Sequence, residues 1–425
     1  MRLTRFYCAN AMKVEIINTG TELLLGAVTN THLAYIARKL LALGITLERQ
    51  VTIGDDHLII RVAFAEAIER ADLIIATGGL GPTSDDITRD VVAELTERKL
   101  VFHQEIMDRI ESRFRARKFS MPDNVRVQAM VPEGAIVLPN NNGTAPGLAL
   151  EHKSKWIFLL PGPPRELKPM FEETVLPLLR TKLPLPILDC RTFRTVGIGE
   201  SLVEQIVGKQ LLALPGCEVG YCARPSEVDL RIIVRAHTRS EAKAIADRGE
   251  EIIRHNLGEW IFSGNDDRLE DVIVRNLIIR KQTLAVAESC TGGHLSNRIT
   301  NVAGSSQVFI NGCVTYSNES KTRLAAVPAA LIEQHGAVSE AVARAMAKGV
   351  RAQSKSDYGI GITGIAGPTG GAPKKPVGLV YIALATPNET KCLEQQLNYE
   401  RDTFKFVATQ YALDLLRRVL IRAEK

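Results

Sequence analysis

The turn Ala287-Glu288-Ser289-Cys290-Thr291-Gly292-Gly293 sets hydroxyls, a thiol and two glycines between a buried-strand pattern and a helical one. Backbone N–H groups at such a turn stabilise an oxyanion or a phosphate beside a serine nucleophile. Lys321 comes 32 residues after Ser289, beyond Tyr316 at the end of another strand pattern. A lysine of depressed pKa, helped by a tyrosine hydroxyl, can deprotonate a serine without any histidine. Cys290 is a rival nucleophile that spacing does not separate from Ser289. A serine in a turn is also a common cap, and a lysine a common solvated charge.

The second chemical segment is Thr77-Gly78-Gly79-Leu80-Gly81-Pro82-Thr83-Ser84-Asp85-Asp86, between a buried strand and a helix expected over 87–95. Its glycines let N–H groups approach a phosphate, and the helix N-terminus adds a favourable dipole. Asp85 and Asp86 offer hard oxygen ligands to a divalent cation such as Mg²⁺, Mn²⁺ or Co²⁺. The plainer alternative is that Ser84 or Asp85 caps the helix. Three further loops, Gly20-Thr21-Glu22, 140–147 and 161–166, follow strands and are expected to gather with it at one sheet edge and share a pocket. No G-x-x-x-x-G-K-[ST] occurs, which disfavours a Walker-type ATPase. The G-x-G-x-x-G match at 359–364 has its first glycines inside a strand and no helix after it, so it is not a dinucleotide fingerprint. The eight histidines form no H-x-x-x-H or H-E-x-x-H pair, and a catalytic zinc is not expected.

The elements that must hold these loops follow from apolar periodicity. Continuous runs at 14–17, 73–76 and 156–160 read as buried strands, and Leu33, Ile36, Ala37, Leu40 and Leu41 share one helical face. Strand and helix alternate, which indicates a parallel sheet covered on both faces. A proline-bearing linker at 183–187 leads to a β-α-β-β-α unit with a strand at 191–196, helices at 200–212 and 240–257, and alternation at Val228, Leu230, Ile232 and Val234. From Asp266 a second α/β domain is expected, with strands at 284–287, 313–316, 358–363 and 379–385 and a helix at 340–353. Its last helix carries Phe404, Val407, Ala408, Tyr411, Leu415 and Val419 on one face. The boundaries are thus 12–180, 187–262 and 266–425. Residues 1–11, which lack the apolar core of a secretory signal, are set outside the fold.

Composition narrows the class. At ~150 residues per domain, 425 residues make about three domains. Mean hydropathy is near zero, and the longest apolar runs fall short of the ~20 residues that span a bilayer, so no membrane partner is expected. Seven scattered cysteines without a C-x-x-C pair fit a reducing cytoplasm better than a disulfide framework. The net charge of +5 is too dilute to define a nucleic-acid surface. Residues 187–262 hold ten Lys and Arg against eleven Asp and Glu, with no G-x-x-G loop between helices, which disfavours an adaptor that binds nucleic acid there.

GTELLLG at 20–26, TGGLGPTSDD at 77–86, LPGPPRE at 160–166, AESCTGG at 287–293, VTYSNESK at 314–321 and TGIAGPTGG at 363–371 together resemble the competence/damage-inducible protein A (CinA) family, in order and from Met12 onward. The resemblance implies an N-terminal molybdopterin-binding-like domain that in some members is a metal-dependent ADP-ribose pyrophosphatase, with a pterin-binding module without catalysis as the alternative. It also implies a KH-type α+β middle domain and a C-terminal α/β domain that deamidates nicotinamide mononucleotide (NMN) without a cofactor. Ser289, Tyr316 and Lys321 match the deamidase's catalytic group, and Thr363 and Arg401 match residues that contact or orient the nucleotide. Thr291, Gly292, Gly293, Ser305 and Gly364 complete the substrate-binding positions implied there. Thr21, Glu22, Thr77, Gly78, Gly79, Gly81 and Thr83 are those of the N-terminal domain, with Asp85 and Asp86 for the metal. A homodimer is the expected assembly, with the middle domain spacing or dimerising the two catalytic units. The chain departs from the family pattern at Lys374-Lys375-Pro376, where an acidic residue is expected before Lys-Pro. It also departs at Tyr399-Glu400-Arg401, where Gly-Asp-Arg is usual, and at Lys405, often an arginine. Lysine does not reproduce a bidentate guanidinium contact to phosphate.

Overall fold

The computed structural model describes residues 12–422, so residues 1–11, including Cys8, lie outside the description. Two compact units divide at Leu188 and Asp189.

In the first unit the strands are β1 (Val14–Thr19), β2 (Arg49–Ile53), β3 (Leu73–Thr77), β4 (Leu100–Phe102), β5 (Met130–Pro132), β6 (Ile136–Leu138), β7 (Gly147–His152) and β8 (Lys155–Leu160). The main sheet runs β2-β1-β3-β8-β7-β6, and β4 pairs only with β5. β2, β1, β3 and β8 are parallel, while β7 and β6 continue antiparallel. Strand side chains alternate between faces. Ile17, Ile74, Ala76, Ile157 and Leu159 therefore join one core with Ile60 and Phe64 of the helix His57–Arg70. Ile16, Leu73, Ile75, Phe158 and Leu160 join the other with Ile36 and Leu40 of the helix His32–Leu41. Both faces are apolar because both are covered, as the continuous runs predict.

The second unit begins its sheet work with β9 (Leu188–Val196), β10 (Cys217–Arg224), β11 (Glu227–Arg235) and β12 (Ile261–Ser263), ordered β10-β11-β9-β12. The expected β-α-β-β-α order is present with β12 added, and β10–β11 and β9–β12 are antiparallel. The helix expected over 200–212 is broken by a π-helical turn, Glu204–Gly208.

The C-terminal part carries β13 (Leu284–Glu288), β14 (Phe309–Val314), β15 (Tyr358–Gly364), β16 (Leu379–Ala385) and β17 (Thr390–Gln396), ordered β14-β13-β15-β16-β17. β14, β13 and β15 are parallel, so their carboxyl ends lie together at one edge, where open α/β sheets bind ligands. β16 and β17 return antiparallel. The final helix, Arg401–Arg422, is buried over more than the predicted stripe, because Gln410 donates to Glu227 and Arg417 donates to the carbonyls of Glu259 and Ile261. No helix among the described residues is long and apolar enough to cross a membrane.

Candidate active site

Three strand ends build the C-terminal site. β13 ends at Glu288, and the chain turns through 289–293 before the helix His294–Thr300. Gly292 and Gly293 have φ of 60° and 91°, a left-handed path that side chains resist, which accounts for both glycines. Glu288, fully buried, accepts hydrogen bonds from the backbone of Leu295 (3.0 Å) and Ser296 (2.8 Å) and from the Ser296 hydroxyl (2.7 Å). Its carboxylate thus fixes the helix behind the turn. The sequence reading missed this role, although an acid just before the turn is its signal.

Lys321 sits in the helix Asn318–Ala325, whose start is capped by Ser317 donating to and accepting from Ser320. Its side chain is only 2% exposed and reaches back to Ser289, with Nζ 3.0 Å from Oγ. The same nitrogen donates to the carbonyls of Thr315 (2.8 Å) and Tyr316 (3.5 Å). No carboxylate pairs with it among the described residues, and burial pushes its pKa below the usual lysine value. A neutral amine has two N–H donors and one lone pair. With the two carbonyls taking the donors, the lone pair is left for the serine O–H.

Tyr316 departs from the sequence reading. Lys321 meets its carbonyl, while its side chain is 64% exposed and its hydroxyl accepts from Arg401 Nη2 at 3.1 Å. The tyrosine lies in the short connection between the end of β14 at Val314 and the Ser317 cap of the lysine's helix. Arg401 also donates to Gly367 O at 2.7 Å, tying Tyr316 to the loop after β15. Lys405, one helical turn further, has its ammonium about one van der Waals contact from where a Cβ would stand on Gly292, 4.0 Å away. One cation therefore borders the turn, and a second, Arg401, joins Tyr316 and Gly367.

The other predicted positions divide. Thr363 is fully buried, its hydroxyl donating to Ala337 O at 2.8 Å, and Gly364 ends β15 beside the site. Ser289 N bonds Ile362 O at 2.9 Å, which seats the nucleophile turn on β15. Thr291 is buried, and its hydroxyl has no partner among the described residues. Ser305 is not brought to the site. It lies in the turn Ser305–Gln307 before β14, at the amino edge of the sheet, a strand's length of roughly 16 Å from the carboxyl edge. Cys290 packs in the hydrophobic core, and burial pushes its thiol up to about 12. A thiolate is the reactive form, so the buried neighbour is inert where the serine is poised. Lys375 donates to His335 O and so does not project freely.

In the first unit, Thr21, Glu22 and Asp85 share a cleft of about 820 Å³ with Asp55, Asp56 and Ile59. Thr21 donates to Asp55 through its backbone (2.7 Å) and hydroxyl (2.9 Å). The glycines of 77–86 are held by packing: a Cβ on Gly78 would lie 2.4 Å from Thr19 O, and one on Gly79 2.0 Å from the Thr88 hydroxyl. Thr77 is buried, accepting from Asn18 Nδ2 at 2.7 Å. Asp86 turns back to accept from Thr83 N (3.0 Å) and the Thr83 hydroxyl, and a Cβ on Gly81 would collide with it. Neither Ser84 nor Asp85 caps the helix Thr88–Leu95, whose N-cap is Ile87. Among the described residues no three His, Cys, Asp or Glu side chains are grouped to hold a metal ion. The loop 140–147 does not line this cleft.

Known proteins resemble nearly the whole chain. A protein of Caldicellulosiruptor bescii named "Putative competence-damage inducible protein" is 45% identical over 410 residues, covering 96% of this chain and all of that one. The chain belongs to the CinA family. Within this CinA-family chain, residues 15–181 match the family described as "Probable molybdopterin binding domain", 190–263 "Damage-inducible protein CinA KH domain" and 266–420 "CinA C-terminal domain". A CinA-like protein of Kosmotoga olearia is 42% identical, covering 96% of this chain and 99% of its own. A solved structure titled as competence/damage inducible protein CihA from Agrobacterium tumefaciens is 33% identical, covering 36% of this chain and 96% of that one, with a TM-score of 0.34.

Proposed function

We propose that the C-terminal domain hydrolyses the carboxamide of NMN to nicotinic acid mononucleotide and ammonia. The observation that carries this reading is the 3.0 Å contact between Ser289 Oγ and a buried lysine amine with no acidic partner among the described residues. Lys321 takes the serine proton while Oγ bonds to the carboxamide carbon, and the developing oxyanion is met by turn N–H groups other than those of Ser289 and Gly292, which the backbone already engages. Lys321 then returns the proton to the leaving nitrogen, the C–N bond breaks, and ammonia departs. Water, deprotonated by the same amine, attacks the Ser289 ester and releases the carboxylate. Lys405 beside the turn and Arg401 on the loops of Tyr316 and Gly367 favour an amide that carries a phosphate over a free one. The direct test is ammonia release from NMN and from nicotinamide. Wild type should act on NMN with clear preference, and Ser289→Ala should be inactive. A fully active Ser289→Ala overturns the reading.

The resemblance also implies metal-dependent hydrolysis of ADP-ribose in the N-terminal domain. The carboxylates as placed do not fit that metal: Asp86 is engaged by Thr83, Asp85 stands exposed, and no three acidic or imidazole groups converge among the described residues. A nucleotide- or pterin-binding pocket is the reading this domain supports, and no hydrolytic step is derived for it.

A further inference from the structure

The helix His294–Thr300 that follows the nucleophile turn is gripped at both ends. Glu288 takes its first backbone N–H groups, and Arg298, buried in its last turn, is held by side chains from elsewhere. Arg298 donates to Glu270 Oε2 at 2.7 Å, to the Thr409 hydroxyl at 2.8 Å and to Gln410 Oε1, and its guanidinium carbon stands 4.8 Å from the centre of the Phe406 ring. Phe406, Thr409 and Gln410 all belong to the final helix, Arg401–Arg422, which also carries Lys405 to the nucleophile turn.

Gln410 is fully buried, and its amide is used from both sides. The oxygen accepts from Arg298, and the nitrogen donates to Glu227 Oε1 on β11. Glu227 lies in the KH-type middle domain and is itself buried. Its other oxygen accepts from Arg194 Nη2 of β9 at 2.9 Å, and Arg194 donates further to Asp229 Oδ1 (3.1 Å) and to the carbonyl of Asp267 (2.8 Å). An unbroken bridge of side chains, Arg194, Glu227, Gln410 and Arg298, thus runs from the sheet of the middle domain to the helix behind the nucleophile turn.

Such a bridge does more than hold two domains together. Apolar burial is non-directional, whereas hydrogen bonds between buried groups fix distance and angle, and a buried polar group left without its partner costs about 1–3 kcal/mol. The middle domain therefore sets where Gln410 stands, and Gln410 sets where Arg298 stands. The seven-residue helix is about 10 Å long and moves as one body, so a displacement at Arg298 passes to the turn that carries Ser289. A misplacement of about 1 Å at reacting atoms costs roughly 10² in rate. None of the four bridging side chains hydrogen-bonds to Ser289 or Lys321 among the described residues, so their effect is on position alone.

We propose that Gln410 and Glu227 are positioning residues of the C-terminal active site, holding Ser289 Oγ at reacting distance from Lys321 Nζ through Arg298. The proposal rests on the amide hydrolysis assigned to Ser289, and it makes the middle domain part of that machinery and not only a spacer.

The test is steady-state ammonia release from NMN, together with backbone amide hydrogen exchange of peptides covering 289–300, on the full-length chain. Gln410→Met and Glu227→Met keep side-chain length and cut the bridge at either residue. Each should lower kcat by roughly tenfold or more with KM within about twofold, and the two combined should lose no more than either alone, because both cut one connection. Exchange at 289–300 should quicken in each, while the strands of the first unit stay unchanged. The pair Glu227→Gln with Gln410→Glu reverses the polarity of the bridge, keeps its charge and its bonds to both arginines, and should hold kcat within about threefold of wild type. Wild-type kcat in Gln410→Met, or a reversed pair as slow as the methionine variants, overturns the proposal. Should Glu227→Met fail to fold, Gln410→Met and the reversed pair decide alone. Inactivity of wild type on NMN would refute the assigned reaction, and unchanged exchange at 289–300 in Gln410→Met would refute the coupling whatever the substrate.

Discussion

Replacing Lys321 with methionine separates catalysis from stability, because the two effects have opposite physical origins at this residue. The amine is the only proton acceptor assigned to Ser289, so its removal should lower kcat/KM on NMN by roughly 10²–10⁴, about 3–5 kcal/mol on the barrier. Folding should change little. The hydrogen bond to Thr315 O is lost, worth about 1 kcal/mol. Against that, an apolar chain of similar length replaces an amine that is 2% exposed and has no ionic partner among the described residues. The pH dependence has a definite sign. With its folded pKa below the unfolded value of about 10.4, Lys321 binds fewer protons folded than unfolded between those values, so stability rises with pH across that window and falls as pH drops through it. Lys321→Met should flatten this part of the urea-unfolding profile. In wild type, kcat/KM should rise with pH along a single-proton limb whose midpoint lies below that of free lysine. Ammonia release measured from pH 5 to pH 10, alongside urea melts, checks both. A variant within tenfold of wild-type activity, or one that loses activity only by unfolding, refutes the reasoning.

Cys290→Ala should retain activity within about twofold, because a core thiol held near 12 supplies no thiolate at neutral pH; ammonia release measures it. Tyr316→Phe should raise the KM for NMN by roughly tenfold with a smaller change in kcat, since it releases Arg401 and leaves Lys321 in place. Gly79→Ala should cost about 1–3 kcal/mol in urea unfolding through its collision with Thr88, and an unchanged midpoint would mean that the loop yields. Arg298→Met should cost about 3 kcal/mol, because it removes the nearer cation of buried Glu270, at 2.7 Å, and leaves only Arg268, at 3.6 Å.

Much of the fold follows from apolar runs that the sequence displays openly. Residues 379–385 form a strand with the expected bounds, and β13 and β15 extend theirs by one residue, because strands buried on both faces cannot hide their pattern. β14 was expected at 313–316 and is found at Phe309–Val314. It is a partly exposed edge strand in which Asn311 and Gly312 cut the apolar start, Val308-Phe309-Ile310, from Cys313 and Val314, so no continuous run marks it. β17, with Lys391, Glu394 and two glutamines, is an exposed edge strand that composition conceals. The antiparallel edge of the first sheet was equally hidden, since strand direction depends on connections and not on which residues are apolar.

The site was legible in its residue types and not in its contacts. Ser289 and Lys321 carry the right chemistry, but their meeting depends on β13 and β14 lying side by side and parallel, a tertiary fact that a spacing of 32 does not contain. Spacing also does not distinguish a carbonyl from a hydroxyl of the same tyrosine, and at Tyr316 the carbonyl faces the lysine. Ser305 shares the composition of a binding residue and lies at the wrong end of its strand. The glycines at 78 and 79 invited a phosphate reading, while in the fold they make room for Thr19 and Thr88.

Acid quenching of the full-length protein during NMN turnover, followed by peptide mass spectrometry, observes the nucleophile itself. A nicotinate-ribotide acyl group should appear on the peptide containing Ser289, mapped to the serine, present in Cys290→Ala and absent in Ser289→Ala. An adduct on Cys290, or sustained ammonia release by Ser289→Ala, would contradict the assignment of the serine as the attacking group.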